Sequence, residues 1–122
     1  MQRILIADPD AAFRKALALL ISRRLGIQAI DEAADTGSLI QKLSDTRPDL
    51  LLLNWSIHGV SGPETCTLLR NTYPDLKIIL LSLNPEDADA ALAAGAGFIC
   101  KCAPPEQALA VLETILKKGA AT

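Results

Sequence analysis

Five short aliphatic runs, each followed by a longer stretch with helical periodicity, constrain the fold of this chain more than any other feature. The runs are nearly unbroken, which is typical of strands that are covered on both faces. Because crossovers between parallel strands are right-handed and the loops are short, the alternation predicts five βα units in one parallel sheet with helices on both faces. Gln28 interrupts the second run, which therefore suits an edge strand. The predicted strands are 4–7, 27–31, 50–53, 78–81 and 98–100.

The stretches between these runs carry residues that begin and end helices. Asp10 can accept a hydrogen bond from a free N–H group at the start of the first helix, and Gly26 can end that helix. Asp35 or Thr36 begins the second helix. Prolines and glycines mark the later boundaries, which are Pro48 after the second helix, Gly62 and Pro63 at the start of the third, 84–86 and Gly95 around the fourth, and 104–106 at the start of the fifth.

The length of 122 residues fits a single domain, which we assign to residues 1–118, with a frayed tail at 119–122. Half of the residues are hydrophobic, so we expect a packed globule. The 12 basic and 14 acidic residues give a net charge of −2, which favours neither nucleic acid nor an anionic membrane as a partner. No apolar run approaches the length of a membrane span.

Three cysteines, Cys66, Cys100 and Cys102, are an odd number, and the chain starts without a signal peptide. We therefore expect a reducing, cytoplasmic setting. Cys100 and Cys102 form a C-x-C pair, but a metal site needs further ligands, and His58 is the only histidine. Free thiols in a core strand and its exit loop are the favoured interpretation.

Polar side chains follow four of the predicted strands, at the end of the sheet where doubly wound proteins bind their ligands. Asp8 follows the first strand, Asn54 ends the third, Ser82 follows the fourth and Lys101 follows the fifth. Because the carboxyl ends of parallel strands lie at the same edge, we expect a carboxylate, an amide, a hydroxyl and an ammonium to converge there.

With these residues at this spacing, the chain resembles a response-regulator receiver domain over nearly its whole length. The segments that match the strand ends and loop glycines of that family are 4–10, 49–55, 78–82 and 95–101, with Gly59 and Gly62 in the loop after the third strand. The resemblance implies a flavodoxin-like, doubly wound (βα)5 fold with the strand order 2-1-3-4-5.

The resemblance also implies a phosphorylation site, from which this chain departs. Receivers accept a phosphoryl group on an aspartate, beside acids that hold Mg²⁺, but here Asn54 occupies the acceptor position, and an amide forms no acyl phosphate. Asp8 matches the first acid, whereas Pro9 stands where the second, metal-ligating acid belongs. Asp10 lies one position late, and we expect it to cap the helix. We expect Lys101 to pair with Asp8 or with the Asn54 carbonyl oxygen, no cofactor, and weak or absent Mg²⁺ binding.

Ser82, Lys101 and Phe98 match the residues with which the family contacts phosphate or switches its conformation. Leu83 stands where a small residue is usual, so we expect it to narrow the entrance of the pocket. Cys102 replaces a proline that follows a cis peptide bond in the family. Because a cis bond before Cys102 would cost about 3 kcal/mol more than a trans bond, we expect a trans bond and a shifted loop.

The resemblance implies a non-enzymatic signalling module of a two-component phosphorelay, and the departures predict that it acts by protein–protein contact without phosphorylation at position 54. The expected partner is a histidine kinase, an output domain or a second copy of the chain. By analogy with the family, the fourth helix (87–94) and the fifth (106–116) would form the output face. One alternative is a receiver that is phosphorylated on a substitute acceptor, such as Asp8 or Ser56. Another is a flavodoxin-like binder of a small ligand, against which stands the lack of a Gly-rich phosphate loop after the first strand.

Overall fold

The main sheet contains five parallel strands in the order that the resemblance implies. The computed structural model describes residues 2–57 and 60–120, so that His58 and Gly59 lie outside the described residues. The strands of this part are β1 (Arg3–Ala7), β2 (Ala29–Ala33), β3 (Leu50–Asn54), the short pair β4 (Ser56–Ile57) and β5 (Val60–Ser61), β6 (Lys77–Ser82) and β7 (Gly97–Cys100). The main sheet has the order β2-β1-β3-β6-β7, which confirms the predicted topology and the edge position of the second strand.

Helices follow the strands at boundaries that the capping residues set. The helices are α1 (Ala11–Leu25), α2 (Thr36–Thr46), α3 (Gly62–Thr72), α4 (Ala88–Ala93) and α5 (Pro105–Ala120), with a 3₁₀ turn at Pro85–Asp87. The Asp10 side chain accepts from the Phe13 N–H group, and Gly26 ends α1 with a φ of 71°, so both predicted boundaries of α1 are confirmed. Asp35 caps α2 through the Ser38 N–H group.

The sheet is covered on both faces, and each face has its own core. On one face α1 and α5 pack on the sheet through Leu17, Ile21, Ala108 and Leu112. On the other face α2, α3 and α4 pack through a second set, which is Leu39, Leu43, Cys66 and Ala91. The strands supply fully buried aliphatic side chains to both cores, because successive residues of a strand point to opposite faces.

The structure moves the second strand by two residues from its predicted position. β2 is Ala29–Ala33 rather than 27–31, and it includes two acidic residues that are only partly buried. Asp31 pairs with Arg3 at 3.4 Å, and Glu32 pairs with Arg14 at 3.0 Å. These ion pairs allow charged side chains to lie within an edge strand.

Two helix ends also differ from the sequence prediction. The 3₁₀ turn Pro85–Asp87, at whose start Asn84 makes no side-chain hydrogen bond, leads into the predicted fourth helix (87–94), of which the α-helical part is Ala88–Ala93. α5 continues to Ala120, past the predicted start of the tail at 119, and residues 121–122 lie outside the described part. Among the described helices, none is long and apolar enough to cross a membrane.

Candidate functional site

A buried ion pair lies at the carboxyl edge of the sheet. The Lys101 Nζ lies 2.6 Å from the Asp8 Oδ2, and the Asp8 side chain is 1% exposed. The second oxygen, Asp8 Oδ1, accepts from the Asp10 N–H group at 2.9 Å. The ammonium also lies 4.5 Å from the centre of the Phe13 ring, close enough for a cation–π contact. Of the two expected partners of Lys101, the structure therefore selects Asp8.

Arg14 links the same edge to the neighbouring strand, a role that sequence reasoning missed. Its Nη1 donates to the Asp8 carbonyl oxygen at 2.6 Å, and its Nε donates to Glu32 at 3.0 Å. Lys15 also binds the Glu32 carboxylate, at 3.1 Å. Burial alone would raise the pKa of Glu32, but the hydrogen bonds and charges of Lys15 and Arg14 outweigh it and hold that pKa below its ordinary value.

Asn54 uses its amide as a hydrogen-bond donor. Its Nδ2 donates to the Ser56 carbonyl oxygen at 2.6 Å, across Trp55. Ser56 begins the short β4–β5 hairpin, in which it pairs with Ser61. An aspartate could not make this bond, because an ionised carboxylate has no proton to donate. The amide at position 54 thus helps to hold the loop that leads into α3.

Ser82 is buried, and its hydroxyl is engaged within its own loop. Ser82 Oγ donates to Asp87 Oδ2 at 2.6 Å and accepts from the Asn84 N–H group at 3.0 Å. The Ser82 carbonyl oxygen accepts from the Lys101 N–H group at 2.7 Å, which joins the loops after β6 and β7. Sequence reasoning missed Asp87, for which the only signal was an acidic residue in the first turn of the predicted fourth helix.

The residues at and beside the position of the family's second acid, Pro9 and Asp10, do not form a metal site. Pro9 has no side-chain oxygen, and the exposed Asp10 uses its Oδ1 to cap α1 at 3.2 Å, as expected. Mg²⁺ prefers several hard oxygen ligands, but the single buried carboxylate here, Asp8, is already paired with an ammonium. The residues present therefore do not fit the Mg²⁺ site that the fold family implies. Within 2–57 and 60–120, no group of three or more His, Cys, Asp or Glu residues could hold a metal ion.

The structure agrees with only some of the expectations for the residues around the pocket, Leu83, Phe98 and Cys102. Leu83 is 69% exposed, which does not fit the expectation that its side chain narrows the pocket. Phe98 is partly buried and packs against the core beneath α2, α3 and α4. No cis peptide bond occurs in the described part of the chain, which confirms the trans bond before Cys102.

The C-x-C pair is the clearest correction to the sequence analysis. Cys100 and Cys102 are joined as a disulfide rather than being two free thiols. The Cα atoms of the two residues are 5.3 Å apart, inside the range that a disulfide requires. Composition cannot reveal this geometry, because it depends on the turn that the chain makes after β7. Cys66 is a free, buried cysteine.

Comparison with known protein families agrees with this architecture. Residues 4–113 match the family model described as the response regulator receiver domain. The oxygen regulatory protein NreC of Staphylococcus haemolyticus (strain JCSC1435) is 30% identical over 119 residues, which cover 94% of this chain and 55% of NreC. The protein of the same name in Staphylococcus aureus (strain JH9) is 31% identical, with the same coverage. The chain thus spans about half the length of the curated relatives it matches.

Solved structures share the fold over most of the chain. A two-component response regulator of the LuxR family from Aurantimonas sp. SI85-9A1 is 26% identical with a TM-score of 0.81, covering 95% of this chain and 85% of that one. The chemotaxis protein CheY4 of Vibrio cholerae is 23% identical with a TM-score of 0.79, covering 93% and 98%. The similarity to CheY4 concerns the fold alone.

Proposed function

Because this chain belongs to the response regulator receiver domain family, we propose that it is a non-enzymatic signalling module that acts through protein contacts, without phosphorylation at position 54. The ion pair between Asp8 and Lys101 carries this proposal. By resemblance to the family, the carboxylate would hold a metal ion and the ammonium would contact a phosphoryl group. Here the charges of Asp8 and Lys101 neutralise each other within the chain, so neither group attracts a metal ion or a phosphoryl group strongly.

The other polar groups of the site are also engaged internally. Asn54 donates to Ser56, and Ser82 donates to Asp87. A ligand that recruited either group would first have to break one of these hydrogen bonds. We infer that the domain is held in one conformation, or that an input other than aspartyl phosphorylation shifts its population.

The partners that fit this proposal are proteins: a histidine kinase, an output domain or a second copy of the chain. By analogy with the family, docking would use α4 and α5, and Leu92 on α4 is 65% exposed. Leu83, which precedes the 3₁₀ turn, is also exposed and adds apolar surface beside that helix. The net charge of −2 argues against nucleic acid as a partner of this domain alone. A cytoplasmic location is part of the same proposal.

Restoring the missing acids tests whether they account for the loss of ligand binding. The variants are Asn54→Asp and Asn54→Asp with Pro9→Asp, with Pro9→Asp alone as the matched control. Each is titrated with Mg²⁺ and then with beryllofluoride, and the fluorescence of Trp55, the only tryptophan, reports binding beside position 54. We expect saturation below about 1 mM Mg²⁺ in the double variant only, because it alone regains the ligand set. Saturation in the unchanged chain would contradict the proposal, and saturation in Asn54→Asp alone would contradict the role of Pro9.

A phosphodonor separates this proposal from the alternative of a substitute acceptor. The unchanged chain is incubated with Mg²⁺ and acetyl phosphate, and its intact mass is measured. We expect no change in mass, because both oxygens of Asp8 are engaged. A gain of one phosphoryl group would favour the alternative, and the variants Asp8→Asn and Ser56→Ala would then locate the acceptor.

A further inference from the structure

Two cysteines bracket the lysine of the buried ion pair. Cys100 is the last residue of β7, Lys101 follows it, and Cys102 lies in the turn beyond. The disulfide between Cys100 and Cys102 therefore closes a small ring in which Lys101 is the one intervening residue. No part of the receiver chemistry discussed above uses these two sulfur atoms.

The cysteines differ in their access to solvent. Cys102 is exposed, Cys100 is partly buried, and Cys66 is fully buried on the core-facing side of α3. A reagent in solution therefore reaches Cys102 first. Cys100 lies where it can attack a sulfur atom bonded to Cys102, because the structure already joins the two. This order of access is what thiol–disulfide exchange requires of an attacking and a resolving cysteine.

We propose that Cys100 and Cys102 are a reversible dithiol–disulfide site whose co-substrate is a low-molecular-weight disulfide of the glutathione class. The Cys102 thiolate attacks one sulfur of the external disulfide, forms a mixed disulfide and releases one external thiolate. The Cys100 thiolate then attacks the Cys102 sulfur and releases the second. Two electrons pass from the cysteine pair to the external disulfide, and the two protons lost by the cysteines are taken up by the released thiolates.

Oxidation at this site acts on the contacts of the loops after β6 and β7. The Cys100 Sγ lies 3.8 Å from the Leu83 carbonyl oxygen, to which a thiol can donate a weak hydrogen bond and a disulfide cannot. Between the two cysteines, Lys101 binds the Ser82 carbonyl oxygen with its backbone and Asp8 with its side chain. The redox state of the pair is thus transmitted to the Leu83 loop and to the ion pair.

This site goes beyond the proposed signalling function and does not depend on it. Its chemistry needs neither a phosphodonor nor a protein partner, so it is measured on the isolated chain. In a reducing compartment such a pair is reversible rather than permanently oxidised. A failure of the thiol experiment would leave the phosphorylation experiment unaffected, and the reverse is also true.

Peptide mapping tests the assignment on the full chain. Fully reduced protein is treated with glutathione disulfide and quenched in acid, its free thiols are alkylated in denaturant, and it is digested with trypsin. Cleavage after Lys101 leaves the two halves joined when Cys100 and Cys102 are linked. We expect this joined species, alkylation of Cys66 alone, and return of all three thiols when excess reduced glutathione is added. A stable glutathione adduct on Cys102, or three alkylated thiols, would overturn the proposal.

Single variants separate the roles of the two sulfur atoms. In Cys100→Ser we expect the mixed disulfide to accumulate on Cys102, because the resolving thiol is missing, and in Cys102→Ser we expect much slower modification. Cys66→Ala is the matched control and should react as the unchanged chain does. Amide spectra of the two redox states should differ at Leu83 and Lys101. Identical spectra there would overturn the coupling to the ion pair, and an adduct on Cys66 in Cys100→Ser would overturn the order of attack.

Discussion

At the scale of single residues, the site at the carboxyl edge of the sheet depends on two side chains that donate hydrogen bonds or carry positive charge, Asn54 and Lys101. The Asn54 amide donates where an aspartate would present a second oxygen to the Ser56 carbonyl. The Lys101 ammonium lies 2.6 Å from one oxygen of the Asp8 carboxylate, whose other oxygen accepts from one backbone N–H group. The polar groups at this end of the sheet are thus partnered within the chain, Asn54 by a hydrogen bond and Asp8 by an ion pair and a hydrogen bond.

Removing both members of the ion pair should cost clearly less than the sum of the two single removals, because each single removal leaves an unpaired buried charge. Lys101→Met leaves the Asp8 carboxylate buried without a counter-ion, so we expect a loss of about 3–5 kcal/mol in the free energy of unfolding. Asp8→Asn leaves the Lys101 ammonium without a counter-ion, so we expect it to be destabilising as well. The double variant should lose clearly less than the sum of the two single losses. Urea denaturation at neutral pH measures all three, and additive losses would show that the two groups do not interact.

At the scale of elements, ion pairs and a glycine with a positive φ stabilise the connections at the edges of the sheet. Glu32 on β2 holds Arg14 and Lys15 of α1, so the edge strand and the first helix are joined by two ion pairs. At the other end of the sheet, Gly95 turns the chain from α4 into β7 with a φ of 82°, beside Arg70 of α3. Both the Glu32 ion pairs and the turn at Gly95 lie outside the two apolar cores.

Glu32 should make the stability of the edge depend on pH. Because its folded pKa lies below the unfolded value, its contribution is complete above the ordinary carboxyl pKa and is lost as the pH falls through the folded pKa. Glu32→Gln should therefore lower the free energy of unfolding by about 0.5–1 kcal/mol at neutral pH, since the pair is partly exposed. The difference should vanish in acid. Urea curves at both pH values measure it, and an equal difference in acid would contradict the ionic explanation.

Gly95 should tolerate alanine poorly, and part of the cost should depend on Arg70. Alanine is strained at a positive φ, by about 1–2 kcal/mol, and its Cβ would collide with the Arg70 guanidinium. That guanidinium also donates to the Ala94 carbonyl oxygen at 3.2 Å, so displacing it exposes the end of α4. We expect Gly95→Ala to cost less in an Arg70→Ala background. Thermal unfolding of the four proteins measures the coupling, and equal costs in both backgrounds would show that Arg70 simply moves aside.

At the scale of the whole molecule, one sheet is shared by two cores. Each strand has side chains on both faces, so loss of packing on either face loosens the same backbone hydrogen bonds. The apolar layer under α1 and α5 and the layer under α2, α3 and α4 are therefore expected to unfold together.

Truncation in either core should produce the same kind of unfolding. Leu112→Ala and Leu43→Ala remove buried side chains from opposite faces, at 0% and 2% exposure. We expect each to cost about 2–5 kcal/mol and to leave a single transition. Far-ultraviolet circular dichroism and Trp55 fluorescence should give coincident urea curves. Separate transitions for the two probes would show that the faces unfold independently.

The sequence predicted what depends on local pattern and missed what depends on contacts across the fold. Unbroken aliphatic runs located four strands almost to the residue, and Asp10 and Gly26 bounded α1. Asp31 and Glu32 looked like the end of a strand because their cationic partners come from other elements.

In the site, the strand ends predicted which groups would meet but not all of their partners. The contact of Lys101 with Asp8 was one of two expectations, and its choice depends on side-chain geometry. The acceptor of the Ser82 hydroxyl and the pairing of Cys100 were not predicted, because each depends on a turn whose shape is set by tertiary packing.

The ion pair between Asp8 and Lys101 has a consequence for how such a domain can be controlled. An ammonium on the same chain is a tethered competitor, and its effective concentration does not fall on dilution. A free cation or phosphodonor must displace it at every concentration of protein. We therefore expect the affinity for Mg²⁺ or a phosphodonor to stay low at every protein concentration, which leaves control of the domain to inputs that act elsewhere on the chain.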